Sequence, residues 1–141
     1  MPSNYFLGSG NFGEVFRGSL NHTTVTNVAL KFLRDPNYSG EFYKEATVAS
    51  HLKHENIVRF IGICKELSCI ILELMEGGQL LSFLRASGRC ALNLIDLIDM
   101  INDIISGCAY LQQKRYVHRD LAARNCMMTS TDPLSRKVYK A

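Results

Sequence analysis

The stretch His118–Asn125, which reads HRDLAARN, concentrates several reactive side chains in eight residues. Asp120 can accept a proton, Arg119 and Arg124 can hold an anion, and the amide of Asn125 can bind a metal ion. Three polar residues in a row are common in loops, so an ordinary solvated loop is the alternative interpretation. The complete stretch therefore combines a candidate base, an anion-binding arginine pair and a candidate metal ligand.

A glycine-rich segment near the start of the chain predicts a phosphate-binding hairpin. Gly8, Gly10 and Gly13 have the spacing G-x-G-x-x-G, which dinucleotide-binding folds share. In those folds the glycine loop opens a helix, whereas Glu14–Gly18 has the pattern of a strand and is followed by turn residues. Glycines in such a loop would let backbone amides approach phosphate groups. A plain glycine-rich turn is the alternative.

An extended segment and the helix after it predict an ion pair. In Val28–Leu33 the alternation of faces places Lys31 between two apolar neighbours. The helix expected over Glu41–Leu52 carries Glu45 on an otherwise apolar face. The apolar members of that face are Phe42, Ala49 and Leu52. Because a charge on a buried face is costly unless it is paired, we expect Glu45 to pair with Lys31. Exposure of Glu45 to water is the alternative.

The second half of the chain is predicted to be mostly helical. The short apolar strand Cys69–Leu72 leads to a flexible joint at Met75–Gly78, which we interpret as the boundary between a strand-rich and a helix-rich half. A short helix is expected over Gln79–Arg85. A longer helix begins near Asn93, with Asp96 in the position that completes a capping box. This helix is apolar around most of its circumference, which implies burial on most sides, more than 141 residues can easily provide. We therefore expect part of its apolar surface to be uncovered in this chain.

Composition excludes several classes of protein. The chain has 141 residues, 47% of them hydrophobic, and its net charge of +3 is too small to argue for a nucleic-acid partner. No apolar run is long enough to span a membrane, and the first residues do not begin a signal peptide. The five cysteines are scattered and lack a C-x-x-C pair, so we expect reduced thiols in a reducing compartment, with zinc binding as the alternative.

Nearly the whole chain resembles the first half of a protein tyrosine kinase catalytic domain. HRDLAARN is similar to the catalytic loop of tyrosine kinases, since serine/threonine kinases usually carry a lysine two residues after the aspartate. Ile71–Gly78, which reads ILELMEGG, looks closest to receptors of the Ros/sevenless, anaplastic lymphoma kinase and insulin receptor group.

The resemblance implies an α+β, bilobal protein-kinase-like fold. Residues 1–75 would form the N-lobe, with an antiparallel sheet and helix C, together with the hinge. Residues 76–141 would form the first part of a helical C-lobe, with helices D and E and the catalytic loop.

The resemblance also implies roles for individual residues. Lys31, held by Glu45, would grip the phosphates of ATP, and Asp120 would accept the proton of the substrate hydroxyl. Arg124 would steady the transferred phosphate or the substrate, and Asn125 would hold a magnesium ion. Contacts to the nucleotide would come from the glycine loop, the apolar walls of the adenine slot, the gatekeeper Leu72 and the hinge. These residues are Leu7, Gly8, Gly10, Gly13, Val15, Ala29, Lys31, Leu72, Glu73, Met75 and Met127.

For the parent protein the resemblance implies ATP-dependent phosphorylation of protein tyrosine residues. ATP and Mg²⁺ would be the cofactors, and tyrosine-bearing proteins the substrates. The parent is expected to be a single-pass membrane receptor that dimerises, with this domain on the cytoplasmic side of the plasma membrane.

Two features depart from the family pattern. Gln79 replaces the aspartate that such receptors usually carry near the ribose. Val138–Ala141 looks like the strand before Asp-Phe-Gly, so the chain would stop about two residues short of that motif and the isolated chain is expected to be inactive. Arg119 would normally meet a phosphate on the activation loop, and His118 is expected to be a packed core histidine.

A non-catalytic nucleotide-binding or interaction fragment is the alternative function. The four residues expected to carry the chemistry are all present, which favours a catalytic parent. They are Lys31, Glu45, Asp120 and Asn125.

Overall fold

The computed structural model describes residues 5–10, 13–21, 23–34, 39–87, 92–130 and 139–140. Their contacts divide the chain into two compact units. Unit 1 consists of Met1–Lys53 and Arg59–Leu74, and unit 2 consists of His54–Val58 and Met75–Ala141. The division therefore falls at Leu74/Met75 and also assigns a short internal segment, residues 54–58, to the second unit.

Unit 1 is built on a five-stranded antiparallel sheet with strand order β1-β2-β3-β5-β4. The helix α1 lies between β3 and β4 in the chain and packs on one face of the sheet. The elements are β1 Phe6–Gly10, β2 Gly13–Asn21, β3 Val25–Leu33, α1 Ser39–Ser50, β4 Phe60–Cys64 and β5 Cys69–Glu73. Valine, isoleucine and phenylalanine are frequent in these strands, in keeping with their preference for a pleated, half-buried surface.

Strand register decides which side chains share the α1 face of the sheet. Lys31 on β3 lies opposite Ile70 on β5, and Ile70 packs against Phe42 and Ala46 of α1. Directly opposed residues of an antiparallel pair lie on the same face. Lys31 therefore lies on the face that α1 covers, as the alternation in the sequence predicts.

The buried side of α1 differs from the predicted one. Phe42 and Ala46 are buried, at 5% and 1% exposure, whereas Glu45 is exposed. The buried face of the helix is therefore rotated about the helix axis relative to the predicted face of Phe42, Glu45, Ala49 and Leu52. The pair at i and i+4, Phe42 and Ala46, packs against the sheet instead. Glu45 lies at the edge of the contact, where its charge remains solvated.

Unit 2 combines helices with a small antiparallel sheet of strand order β6-β7-β8. Its hydrophobic core contains Leu80, Met100, Cys126 and Met128. The elements are β6 Gly78–Gln79, α2 Leu80–Ser87, α3 Leu94–Gln113, the 3-10 turn Ala123–Asn125, β7 Met127–Met128 and β8 Tyr139–Lys140.

The capping box predicted for the long helix is confirmed. The Asp96 backbone N–H donates to the Asn93 side-chain oxygen at 2.9 Å, and the Asn93 N–H donates to the Asp96 carboxylate at 3.1 Å. These bonds satisfy backbone donors that the first turn of a helix otherwise leaves unpaired.

Much of the apolar surface of α3 is exposed, as expected for a chain of this length, which cannot easily cover a helix that is apolar around most of its circumference. Buried residues of the helix are Met100, Gly107 and Leu111. The exposed apolar residues are Leu94, Ile95, Leu97, Ile98, Ile101 and Ile105. Among the described residues, no helix is long and apolar enough to cross a membrane.

The segment His54–Val58 joins unit 2 by packing against α3. A Cβ atom at Gly107 would lie 2.6 Å from the carbonyl oxygen of Asn56, so only glycine permits this approach of the helix. His54 stacks on Tyr110 of α3 with ring centroids 4.9 Å apart. Asn56 and Ile57 are buried, at 2% and 7% exposure.

We expect Gly107→Ala to destabilise the protein, and Gly40→Ala to leave its stability unchanged or to raise it. Alanine is favoured over glycine by up to about 1 kcal/mol in a helix. At Gly40 a Cβ atom meets nothing within 4 Å, but at Gly107 it meets backbone. The strain of overpacking at Gly107 is on the order of 1–3 kcal/mol and should outweigh the gain in helix propensity.

Thermal unfolding followed by circular dichroism checks this pair, with Gly40→Ala as the matched control in another helix. An equal or higher melting temperature for Gly107→Ala would contradict the close approach of α3 to Asn56.

Candidate active site

The first part of the candidate site is a cation on the α1 face of the five-stranded sheet. The ammonium group of Lys31 is half-buried, and burial lowers its pKa below the ordinary value of 10.5. The negative charge of Glu45 acts in the opposite direction and raises the pKa of Lys31. Desolvation is the larger effect, so keeping Lys31 charged in the folded protein lowers the free energy of unfolding.

Glu45 is thus electrostatically coupled to Lys31 although it is exposed. Exposure of one partner weakens an ion pair, because water and salt screen it. A separation below about 4 Å between the ammonium nitrogen and a carboxylate oxygen, the usual limit for an ion pair, stays a prediction.

Three predicted walls of the adenine slot share the sheet face of Lys31. Val15 on β2 lies opposite Lys31, and Ala29 on β3 lies opposite Leu72 on β5. Ala29 is buried, whereas Val15 and Leu72 are half-buried. Unit 1 therefore presents a cation beside an apolar strip on one face, which is the combination that a nucleotide with an apolar base and anionic phosphates requires.

The glycine-rich segment forms the β1–β2 hairpin. Gly8 lies opposite Val15, and Gly10 lies opposite Gly13 at the end of the hairpin. Residues 11 and 12 lie outside the described residues. Gly13 has φ +152° and a Cβ atom there would lie 1.7 Å from the carbonyl oxygen of Phe32, so glycine is required by the neighbouring strand itself. Leu7 is 47% exposed.

The predicted hinge residues end the sheet and begin unit 2. The Glu73 carboxylate accepts a hydrogen bond from the backbone N–H of Arg59 at 2.7 Å, and the Glu73 N–H donates to the Arg59 carbonyl at 3.0 Å. Met75 is buried in unit 2, where its carbonyl accepts a bond from the Gly78 N–H at 3.0 Å. Their role in binding a base stays a prediction.

The second part of the candidate site is the loop that carries Asp120. Arg124 donates to one carboxylate oxygen of Asp120 at 2.6 Å. Asn125 donates from its side-chain nitrogen to the other carboxylate oxygen at 2.9 Å and to the Asp120 backbone carbonyl at 2.8 Å. Both carboxylate oxygens are therefore held by side chains four and five residues further along the chain.

An irregular backbone makes these contacts possible. Arg119 has φ +68°, in the left-handed region that is uncommon for residues other than glycine. The Asp120 N–H donates to Nδ1 of His118 at 3.3 Å. The 3-10 turn then brings Arg124 and Asn125 back toward Asp120. His118 is half-buried, so it packs less completely than the sequence predicts.

The loop is anchored on its C-terminal side by buried residues. Cys126 and Met128 are 2% and 0% exposed and lie in the core of unit 2. Their backbone carbonyls accept bonds from the N–H groups of Leu80 at 2.8 Å and Gly77 at 2.9 Å. These bonds connect the segments of β6 and β7. The sequence did not predict these two strands, because two residues are too few to show an alternating pattern.

Two predicted positions meet on the small sheet. Met127 on β7 lies opposite Gln79 on β6. Met127, a predicted wall of the adenine slot, and Gln79, the departure from the family pattern, are therefore neighbours in unit 2. This relation was not visible in the sequence, where the two residues are far apart.

Asp120 and Arg124 remain open to solvent, with side chains 51% and 57% exposed. An exposed ion pair contributes little to stability, because solvent screens it and ordering two side chains is entropically costly. The contacts of Asp120 therefore orient the carboxylate rather than stabilise the fold. An oriented, accessible carboxylate is the arrangement that a general base requires.

A metal ion would find one suitable oxygen on Asn125. The side-chain nitrogen makes both bonds to Asp120, so the side-chain oxygen is the atom that fits a hard cation such as Mg²⁺. No group of three or more His, Cys, Asp or Glu side chains that could hold a metal occurs in the part of the chain that the structure describes. Magnesium is commonly bound by one or two protein ligands together with substrate phosphates, and the Asn125 oxygen is compatible with such a site.

Comparison with known proteins identifies the family. The family description of protein tyrosine and serine/threonine kinases matches residues 3–138. Over 95% of its length the chain is 42% identical to the proto-oncogene tyrosine-protein kinase ROS of Rattus norvegicus. It is 44% identical over 91% of its length to the tyrosine-protein kinase transforming protein Fps of avian sarcoma virus (strain PRCII), and 41% identical over 96% to protein sevenless of Drosophila melanogaster. The chain belongs to the protein tyrosine and serine/threonine kinase family.

Membership confirms the family and the fold class predicted from the sequence. The five-stranded antiparallel sheet with its helix corresponds to the N-lobe of the kinase fold, and the helical unit to the start of the C-lobe. The family uses ATP and a divalent metal in general. The chain spans about 6% of the length of the ROS and sevenless proteins and about 25% of the Fps protein.

We expect Lys31→Met to raise the stability of the protein near neutral pH. Because the folded-state pKa of Lys31 lies below 10.5, the unfolded chain binds more protons between that lowered pKa and 10.5, and wild-type stability rises with pH across this window. Below the window the cost of burying the charge is present in full. Methionine removes that cost, so its advantage should be largest at neutral pH and shrink as pH rises through the window.

Unfolding by urea at several values from about pH 7 to about pH 10 measures this effect. Lys44→Met is the matched control, since Lys44 is an exposed lysine on α1. A Lys31→Met protein that is less stable than wild type at neutral pH, with Lys44→Met unchanged, would overturn the assignment of burial as the dominant effect.

Proposed function

We propose that this chain supplies nucleotide-binding and catalytic residues of a protein tyrosine kinase. The observation that carries the proposal is the Asp120 carboxylate, which is exposed and held through both oxygens by Arg124 and Asn125. Phosphoryl transfer depends on positioning and charge neutralisation more than on covalent chemistry. A fixed carboxylate that can receive a hydroxyl proton meets the requirement for positioning.

Unit 1 would bind ATP through the face that carries Lys31. The ammonium group would contact the phosphates, with Glu45 limiting the cost of its burial. Val15, Ala29 and Leu72 would contact the adenine, and the backbone of the glycine hairpin would approach the phosphates. Support comes from the shared face of these side chains and from the steric need for glycine at position 13.

Unit 2 would act on the substrate hydroxyl. Asp120 would orient this hydroxyl and accept its proton. Arg124, already bonded to Asp120, would steady the transferred phosphate or the substrate. The side-chain oxygen of Asn125 would hold Mg²⁺, which supplies charge neutralisation at the phosphate oxygens when it is bound.

Tyrosine is the proposed phosphate acceptor. The run LAAR between Asp120 and Asn125 supports this, because serine/threonine kinases usually place a lysine two residues after the aspartate. The ROS and Fps proteins are both tyrosine-protein kinases by name. Protein substrates bearing tyrosine are therefore the expected partners.

The parent protein is proposed to be a single-pass membrane receptor that dimerises. The similarity to ROS and sevenless over nearly the whole chain supports a protein of this group. In that setting the kinase domain would lie on the cytoplasmic side of the plasma membrane.

We expect Asp120→Asn to lower kcat for tyrosine phosphorylation by at least about a hundredfold, because the amide cannot accept the hydroxyl proton. ATP binding should change little, since Asp120 is not proposed to contact the nucleotide in the ground state. Peptide phosphorylation by the full-length protein and fluorescent-nucleotide binding measure the two properties separately.

Asp99→Asn on the exposed surface of α3 is the control and should behave as wild type. Retention of most of the activity by Asp120→Asn would exclude Asp120 as the base. Nucleotide binding by a wild-type protein without any phosphorylation would favour a non-catalytic nucleotide-binding module.

We expect Asn125→Ala to raise the magnesium concentration needed for half-maximal activity. The substitution removes the proposed metal oxygen and also the two hydrogen bonds that the Asn125 side-chain nitrogen donates to Asp120, so kcat should fall as well. Rate measurements over a magnesium titration check this, with Asn102→Ala as the control at an exposed asparagine of α3. An unchanged magnesium requirement together with a reduced kcat would assign Asn125 to orienting Asp120 alone.

A further inference from the structure

Two cysteines face each other across the hairpin formed by β4 and β5. Cys64, the last residue of β4, lies directly opposite Cys69, the first residue of β5. The turn between them comprises residues 65–68 and is closed by a bond from the Ser68 N–H to the Lys65 carbonyl at 3.2 Å. Both cysteines are free.

The register of the hairpin brings the two thiols within reach of each other. Directly opposed residues of an antiparallel pair have Cα atoms about 4.5–5.5 Å apart and side chains on the same face. A disulfide requires Cα atoms about 4.4–6.8 Å apart, which this pairing meets, and Cβ atoms about 3.5–4.5 Å apart, so bridging requires at most a small approach of the two side chains. Cys64 also contributes to raising the pKa of Cys69, in keeping with the proximity that the register gives the two side chains.

The environments of the two thiols differ. Cys64 lies on the edge strand of the sheet and is half-buried, and its thiol donates to the Glu66 carboxylate at 3.4 Å. Cys69 lies on an interior strand between β3 and β4 and is 0% exposed. Burial is the main cause that raises the pKa of the Cys69 thiol, so this sulfur remains protonated at neutral pH. Solvent-borne reagents therefore reach Cys64 first.

We propose that Cys64 and Cys69 are a redox modification site, at which a peroxide converts the two thiols into a reversible intrachain disulfide. Cys64 reacts first and Cys69 resolves. This site is independent of the proposed phosphoryl transfer, because the two cysteines lie on the other face of the sheet from Lys31. Ile70 is paired with Lys31 and shares its face, and Cys69, its neighbour in β5, lies on the other face.

The reaction balances with hydrogen peroxide as the oxidant. The Cys64 sulfur attacks one peroxide oxygen, the O–O bond breaks and an S–O bond forms, which gives a sulfenic acid and one molecule of water. The Cys69 sulfur then attacks the Cys64 sulfur, the S–O bond breaks, and the departing hydroxide leaves as water with the Cys69 proton. Two thiols and one peroxide thus yield one disulfide and two waters, and a dithiol reductant reverses the change by exchange.

The bridge would connect an edge strand to an interior strand beside a core contact. Ile70, the neighbour of Cys69, packs against Phe42 of α1. Oxidation would therefore stiffen the hairpin on which this helix rests. Other cysteines do not share this arrangement in the register of the described strands, where Cys64 and Cys69 are the opposed pair.

Peptide mapping tests the proposal directly, because Lys65 lies between the two cysteines. The folded full-length protein is treated with hydrogen peroxide, remaining thiols are alkylated, and the protein is digested with trypsin without reduction. Cleavage after Lys65 separates the peptides 60–65 and 66–85, so a disulfide holds them together as one species that dithiothreitol splits. We expect this linked species to be the main oxidised product.

Variants separate the roles of the two sulfurs. Cys69→Ser should leave Cys64 as a sulfenic acid that dimedone labels, whereas Cys64→Ser should leave the buried Cys69 unlabelled. Cys108→Ser is the matched control and should still form the linked peptides. Circular dichroism confirms that each variant is folded before oxidation.

Three results would overturn the proposal, and the first two need no variant. One is full alkylation of Cys64 and Cys69 after peroxide treatment of the wild-type protein. The second is linkage of either peptide 60–65 or peptide 66–85 to a different cysteine-containing peptide. The third is dimedone labelling of Cys69 in the folded Cys64→Ser protein, which would remove the order of reaction.

Discussion

The burial of the Lys31 ammonium group is the constraint on which the arrangement of unit 1 depends. Desolvation lowers the pKa of this lysine, so the fold holds the charge against its preference for water. Strand register makes this unavoidable, since a shift by one residue would turn every side chain of β3 to the opposite face. The register that buries Val28 and Ala29 also fixes Lys31 beside Val15 and Ile70. The register of β3 with β2 and β5 therefore determines both the apolar strip and the position of the Lys31 ammonium group beside it.

Unit 2 positions its reactive groups by a different physical principle. The Asp120 loop is irregular, exposed and short, and its side chains are fixed by hydrogen bonds between residues four and five positions apart. The segment just after the loop anchors it, because Cys126 and Met128 are buried and their carbonyls accept hydrogen bonds from Leu80 and Gly77. A regular helix brings together residues three and four positions apart, whereas this loop also brings Asn125, five positions on, to the Asp120 carboxylate.

Features that depend on local sequence were predictable. The N-cap at Asn93 and Asp96 needs only residues three apart, and the face of Lys31 follows from strand alternation. The rotation of α1 about its axis was not predictable, because the sequence allows either Glu45 or Ala46 to face the sheet. Tertiary packing places Ala46 there. The pairing of Gln79 with Met127 joins two strands of two residues each, which carry no periodic signal. The resemblance to the family predicted roles for Asp120 and Asn125, but only the structure shows that these two side chains bond to each other.

The path of the chain limits how the protein can be divided into pieces. Both units are discontinuous in sequence, because the five-residue segment His54–Val58 lies within the sequence of unit 1 but packs in unit 2. A single cut between Leu74 and Met75 would leave Asn56 and Ile57 on a fragment without α3, so two residues that are now almost fully buried would face solvent. The other fragment would carry α3 with nothing against Gly107. For two separately expressed halves to reassemble, the segment His54–Val58 must therefore bind α3 of the other fragment. In the intact protein the covalent connection keeps the segment and the helix close.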